Sequence, residues 1–218
     1  MPQVAWQRER GSLIVAVLAL VGFGILLAVV RANRSAAIDT AVTIKLQRGK
    51  RPWLDRLMRI VSWPGFPPES QLISGGLPLA IWALGFRVEA VFQGLAYGIS
   101  FLSFLTKQVI RRPRPNHPKI EVVAARLGGT SFPSGHVLNY MGVYGFLAFL
   151  LNAWVKPSAL RRALVGALLS LIALVGPSRI YLGHHYLTDV LASYLLGIAY
   201  LLGLTTLYRR FKAWTHWP

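Results

Sequence analysis

The sequence predicts an all-α polytopic membrane bundle of about six transmembrane helices, with amphipathic helices at the interface. Three observations predict it. First, 54% of the 218 residues are hydrophobic and only 14% are charged, with a mean hydropathy of +0.48. Second, apolar runs close to the roughly 17–25 residues that cross a hydrocarbon core recur along the chain, and there only helices or closed barrels satisfy the backbone. Third, the charges punctuate these runs instead of interrupting them. The formal net charge is +17, from 24 Lys+Arg against 7 Asp+Glu. Such a balance can mean nucleic acid, but cations at the mouths of apolar spans suit anionic lipid headgroups and phosphate substrates better. The absence of cysteine rules out disulfides, thiolate metal sites and cysteine nucleophiles.

Residues 1–218 read as one domain, in the following order. The run 12–30 exceeds the roughly 7–15 apolar residues of a secretory signal, and Arg31 and Arg34 follow it directly, so it is a retained span. Ile38, Ala41, Val42 and Leu46, then Leu54, Leu57, Met58 and Val61, have the spacing of one-sided helices, with Arg51, Arg56 and Arg59 for a polar side. Trp53 and Trp63 fit an aromatic belt, and Trp63-Pro64-Gly65-Phe66-Pro67-Pro68 breaks the helix before the membrane is re-entered. The second span, 71–86, is short and carries Gly75, Gly76 and Pro78; the third, 90–106, carries Gly94 and Gly98 at the four-residue spacing of close helix packing. After a polar segment come spans 136–154, 163–176 and 189–208, the last closed by Arg209, Arg210 and Lys212.

Three polar knots stand out: Lys107 to Pro115, Ser131 to His136, and Ser178 to Asp189. The first follows the third span, the second opens the fourth, and the third joins the fifth to the sixth. An odd number of crossings precedes each, so all three share one membrane face, opposite the termini.

The residue types in these knots describe a phosphate cradle. Lys107, Arg114 and Arg179 supply a mobile point charge and two planar donor forks. Ser134 and the backbone N–H of Gly135 sit at the positive start of a helix. A helix starting at or just before His185 would put Asp189 on the same face, where its carboxylate can orient the imidazole. His185 can then attack phosphorus, with His136 protonating the leaving oxygen and later activating water. Charge in a phosphoryl-transfer transition state is spread over equatorial oxygens that fixed cations can stabilise, so neither a metal nor a cofactor is expected.

Lys107, six residues, Arg114-Pro115; Pro133-Ser134-Gly135-His136; and Ser178-Arg179, five residues, His185, three residues, Asp189 together resemble the three-part signature of the type 2 phosphatidic acid phosphatase superfamily. That resemblance implies a metal-independent membrane phosphatase facing the periplasm or cell exterior. It assigns phosphate binding to Lys107, Arg114, Ser134, Gly135 and Arg179, general acid to His136, nucleophile to His185 and its partner to Asp189. The expected substrates are undecaprenyl diphosphate first, then phosphatidylglycerol phosphate and phosphatidic acid. The rivals are a lipid phosphotransferase with the same site and a non-catalytic lipid-phosphate binding or translocating protein. His117, His184 and His216 read as capping or interface residues, and Arg111, Arg112, Lys119 and Arg126 as contacts to headgroups or phosphates of the bilayer, with Arg112 placed near the mouth of the site. A count of Lys and Arg alone would put the knots in the cytoplasm, so the outward orientation follows from the resemblance.

Overall fold

The structure, a computed structural model, describes residues 2–123 and 128–215. The described residues form α1 (Pro2–Arg31), α2 (Ala36–Arg48), α3 (Pro52–Ser62), α4 (Glu69–Ala83), α5 (Arg87–Ile110), α6 (Gly135–Trp154), α7 (Ala159–Tyr181) and α8 (Leu187–Thr215). Among them, α5 to α8 and the Arg10–Arg31 part of α1 are the 5 helices long and apolar enough to cross a membrane. The sixth apolar helix, α4, has 15 residues, about 22 Å at 1.5 Å per residue against a hydrocarbon core of ~30 Å. Pro67 and Pro68 precede it, and the turn at Gly85, whose φ is +92°, ends it against α5.

Helix boundaries follow local chemistry. Pro52 occupies the first turn of α3, where its missing N–H costs no bond. Ser158 caps α7 by accepting from the Arg161 N–H at 3.1 Å. At the start of α8, Asp189 reaches back to accept from the Tyr186 N–H at 2.9 Å, the reciprocal half of a capping box.

Helix α1 lies along α8. Arg10 and Arg210 line one cavity near the chain ends, while Val30 packs with Phe132 and Ala192, so the two helices are antiparallel. The central core joins α3, α6, α7 and α8 through Val61, Val137, Tyr140, Val143, Val175 and Val190. Gly142 is required at the α5–α6 contact, because a Cβ there would stand 2.3 Å from the Ala96 carbonyl oxygen. Of the Gly94/Gly98 pair, only Gly98 serves a close contact, with Tyr200; a Cβ on Gly94 would meet nothing. Near the termini, Tyr208 donates to Glu89 at 2.8 Å and accepts from Trp154 at 2.7 Å, and Lys212 lies 3.2 Å from Glu89, giving this buried carboxylate partners.

The two amphipathic helices face opposite ways. In α3, Met58 and Val61 are buried and Trp53 and Ile60 are exposed, so its apolar stripe packs inward. In α2 the polar residues Asp39, Thr43 and Gln47 are buried while Ile38 and Leu46 are exposed. The polar stripe of α2 is therefore its protein-facing side, directed at the polar loops beside the bundle.

Candidate active site

The three polar knots meet. The last turn of α5 carries Lys107, whose Nζ donates to the Thr130 carbonyl at 2.8 Å. Arg111, with φ +43°, ends that helix in the left-handed region. The chain then runs extended through Arg112 and Arg114, held to the Ser131 segment by Ser131 N to Arg112 O at 2.8 Å and Ser131 Oγ to Pro113 O at 3.0 Å. Ser134 precedes α6 and its N–H donates to Ser193 Oγ on α8 at 2.7 Å; Ser193 in turn donates to the Asp189 carbonyl at 2.6 Å. The opening of α6 is thus fixed against the start of α8.

His185 lies two residues before α8, not within it. A tight turn presents it: Gly183 has φ +72°, and the N–H groups of His184 and His185 both donate to the Arg179 carbonyl, at 3.0 and 3.2 Å. A Cβ on Gly183 would also meet the Glu121 carbonyl oxygen at 2.6 Å, so both conformation and space demand glycine. His185 Nε2 lies 3.4 Å from Arg114 Nη1, and Nδ1 lies 3.6 Å from Asp189 Oδ2. The second distance is an ion-pair separation and too long for a hydrogen bond. The four-residue spacing does bring the pair together, but through a turn and a cap instead of a shared helix face.

Arg114 Nη1 donates to the His184 carbonyl at 2.8 Å and Nη2 to the Gly128 carbonyl at 3.1 Å. Arg179, 1% exposed, donates from Nη1 to Ser62 Oγ at 2.7 Å and lies 4.8 Å over the Phe66 ring. His136 meets the same Phe66 ring edge-on at 4.6 Å. It lies within electrostatic reach of Arg179, His185 and Arg114, and Lys107 within reach of Arg114 and Asp189. Lys107, Arg114, His136, Arg179, His185 and Asp189 therefore come together, with Ser134 and Gly135 next to His136 in the chain.

Among the described residues, none of Lys107, Arg114 and Arg179 lies within ion-pair distance of a carboxylate. Arg114 Nε, Ser134 Oγ, His136 Nε2, Arg179 Nε and His185 Nδ1 are buried with no hydrogen-bond partner, and the unpartnered Thr130 Oγ1 and His184 Nδ1 belong to their neighbours. Buried polar atoms are normally satisfied, so this concentration makes the cluster the candidate ligand site. Burial, then the charges of Arg179, Arg114 and Lys107, hold the His185 imidazole well below its usual pKa, which keeps its lone pair free. Lys107, Arg114 and Arg179 suit the oxygens of an anion, and the described residues contain no cluster of three or more metal-ligating side chains.

Two residues differ from their sequence-based reading. His184 is buried, with Nε2 2.8 Å from the Val123 carbonyl, so it ties the site turn to the neighbouring loop instead of capping a helix. Arg112 is no headgroup contact: it bonds Asp39 at 2.6 Å and Asp189 at 2.5 Å. Sequence reasoning also passed over Gln47, which bonds the carbonyls of Glu121 and Tyr181 and the Glu121 N–H. Arg126 and His216 lie outside the described residues.

The PAP2 superfamily profile matches residues 89–213, which include all eight candidates. Phosphatidylglycerophosphatase B of Bacillus subtilis (strain 168) is 31% identical over 182 residues, covering 81% of this chain and 86% of that protein. Lipid phosphate phosphatase delta of Arabidopsis thaliana is 26% identical over 136 residues, covering 59% of this chain but 32% of that longer protein. Among solved structures, a transmembrane PAP2 type phosphatidylglycerolphosphate phosphatase from Bacillus subtilis superposes with a TM-score of 0.75 at 26% identity, over 89% of this chain and 96% of that one. Aquifex aeolicus LpxE shares the fold with a TM-score of 0.59 at 21% identity, over 78% of this chain and 95% of that one.

Proposed function

We propose that this chain, a phosphatase that belongs to the PAP2 superfamily, removes the terminal phosphate of a membrane lipid through a phosphohistidine on His185. The observation that carries this reading is the concentration of unpartnered buried donors around the 3.4 Å approach of Arg114 to His185 Nε2. Arg114, Arg179, Lys107, Ser134 and the Gly135 N–H take the phosphate oxygens. The Nε2 lone pair of His185 forms the N–P bond while the P–O ester bond breaks, and protonated His136 gives its proton to the leaving lipid oxygen. Water then attacks phosphorus, His136 takes back a proton, and the N–P bond breaks to release inorganic phosphate and neutral His185. Asp189 faces Nδ1 and stabilises the charge the ring acquires.

The preferred substrate is phosphatidylglycerol phosphate, by likeness to the Bacillus subtilis phosphatidylglycerophosphatase B sequence and the solved Bacillus subtilis phosphatidylglycerolphosphate phosphatase structure; undecaprenyl diphosphate and phosphatidic acid are the comparators. The whole chain acts as one unit, with its site facing the periplasm or cell exterior. The test is phosphate release by purified protein from these three lipids in mixed micelles, with excess chelator and with His185→Ala as blank. Chelator-resistant release that disappears in the variant is expected, greatest from phosphatidylglycerol phosphate. Appreciable turnover by His185→Ala would remove His185 as nucleophile, and release only with an added lipid alcohol would make the protein a phosphotransferase.

A further inference from the structure

Arg112 and Asp39 belong to no part of the cradle, yet they form its most tightly bonded neighbourhood. Asp39, fully buried on α2, accepts from the Thr188 N–H at 2.9 Å, the Thr188 hydroxyl at 2.7 Å and Arg112 Nη2 at 2.6 Å. Arg112 also bonds Ser35 at 3.2 Å, Thr188 Oγ1 at 2.8 Å and Asp189 Oδ1 at 2.5 Å, and stacks 4.3 Å over the Tyr186 ring. One guanidinium fork thus bridges two buried carboxylates. The fork occupies Asp189 Oδ1, and the Tyr186 N–H fixes Oδ2 on the side that faces His185 Nδ1.

We infer that Arg112 and Asp39 are positioning residues that set both the orientation and the effective negative charge of Asp189, and through it the proton affinity of His185. The inference rests on the reading of His185 as nucleophile. Arg112 alone would neutralise Asp189; Asp39 shares the guanidinium and leaves Asp189 part of its charge. Removing the two partners therefore has opposite consequences. Without Arg112, the Asp189–His185 pair holds a proton to higher pH. Without the Asp39 charge, Arg112 is committed to Asp189 and the pair loses its proton at lower pH. The other groups facing His185 are Lys107 on α5, Arg114 and Ser131 from the 111–134 segment, His136 on α6, Arg179 on α7 and the adjacent His184, and none is altered by these changes.

The experiment is the pH profile of kcat/KM in micelles for the native chain, Arg112→Gln, Asp39→Asn and Arg112→Lys, with Thr188→Val as a neutral control that loses hydrogen bonds but no charge. The acid limb is expected to rise by about one pH unit in Arg112→Gln and to fall in Asp39→Asn. It should stay in place in Arg112→Lys and Thr188→Val, whatever their loss of rate. Limbs that coincide in all folded variants overturn the inference, as does failure of every charge variant to fold, which would assign the network to the fold alone. His185→Ala separates the two levels. If it still turns over, the nucleophile reading fails; if it is inactive and the limbs do not move, only the positioning role fails.

Discussion

Gly65→Ala is a one-carbon probe of His136. Gly65 closes the turn after α3, and an added Cβ would stand 2.3 Å from Cδ2 and 2.9 Å from both Cγ and Nε2 of the His136 ring. Ordinary carbon contacts begin near 3.5 Å, so ring or turn must retreat by more than about 1 Å. The ring is the element free to move, because Phe66 meets it only edge-on and its Nε2 has no partner. A displacement of that size at a proton-transfer group costs about 10²-fold in rate, or ~2.7 kcal/mol of barrier. Overpacking itself costs about 1–3 kcal/mol. The cations are untouched, so kcat should fall about 100-fold with little change in KM, and the melting temperature should drop by a few degrees. Phosphate release at saturating lipid, beside a thermal melt in the same detergent, reads both. Folded Gly65→Ala protein with native kcat would refute the claim that the seat of the His136 ring sets its proton transfer.

Three other outcomes are expected. Burial and the Arg179 charge push the His184 pKa down to about 3 from an unfolded value near 6.5. The unfolded chain therefore takes up a proton that the folded chain refuses, so this contribution to stability is complete above pH 6.5 and is lost as pH falls toward 3; His184→Gln should make the fall in melting temperature over that window shallower, with His185 supplying the remainder, and an unchanged slope would contradict it. Gln47→Leu strips partners from two carbonyls and one N–H that join α2 to the site loops, and should cost about 2–4 kcal/mol, read as a lower melting temperature. Because the native chain has no cysteine, Lys119→Cys on the exposed loop beside the site reports orientation cleanly; a membrane-impermeant maleimide should label it in intact cells, and labelling only after lysis would place the site in the cytoplasm.

The candidate site residues were legible in the sequence; the supports around them were not. Lys107, Arg114, Ser134, Gly135, His136, Arg179, His185 and Asp189 announce themselves because charged and nucleophilic residues stand at the mouths of apolar runs. Hydrophobic periodicity located α2 and α3, but a period is blind to which stripe of an amphipathic helix meets protein and which meets lipid. Asp39 and Gln47, which that spacing does not single out, are buried. Arg112 read as a headgroup contact near the mouth, yet the left-handed turn at Arg111 is followed by pairing of Arg112 with two buried carboxylates. The start of α8 at Leu187 instead of His185 depended on the Gly183 turn and the Asp189 cap, which only the folded geometry distinguishes from a helix begun two residues earlier. The short second span was visible from its prolines and glycines, and α4 is correspondingly short.

These supports share a location that bears on how the site is tuned. The residues we propose to touch phosphate or move protons all lie within 89–213, the segment matched by the superfamily profile. Several of the residues that hold them come from before it: Asp39 through Arg112 onto Asp189, Ser62 against Arg179, Gly65 and Phe66 around His136, and Gln47 on the 121 and 181 carbonyls. A cradle of three cations and several unsatisfied donors is locally destabilising without its anion, since like charges repel and buried polar atoms lack partners. The hydrogen bonds and packing from α2, α3 and the 63–66 turn offset that cost from outside the reacting shell. Substitutions in residues 35–66 can therefore shift proton affinity, ring position or loop stability without replacing any of the proposed reacting groups, which makes this stretch a lever on rate and pH optimum.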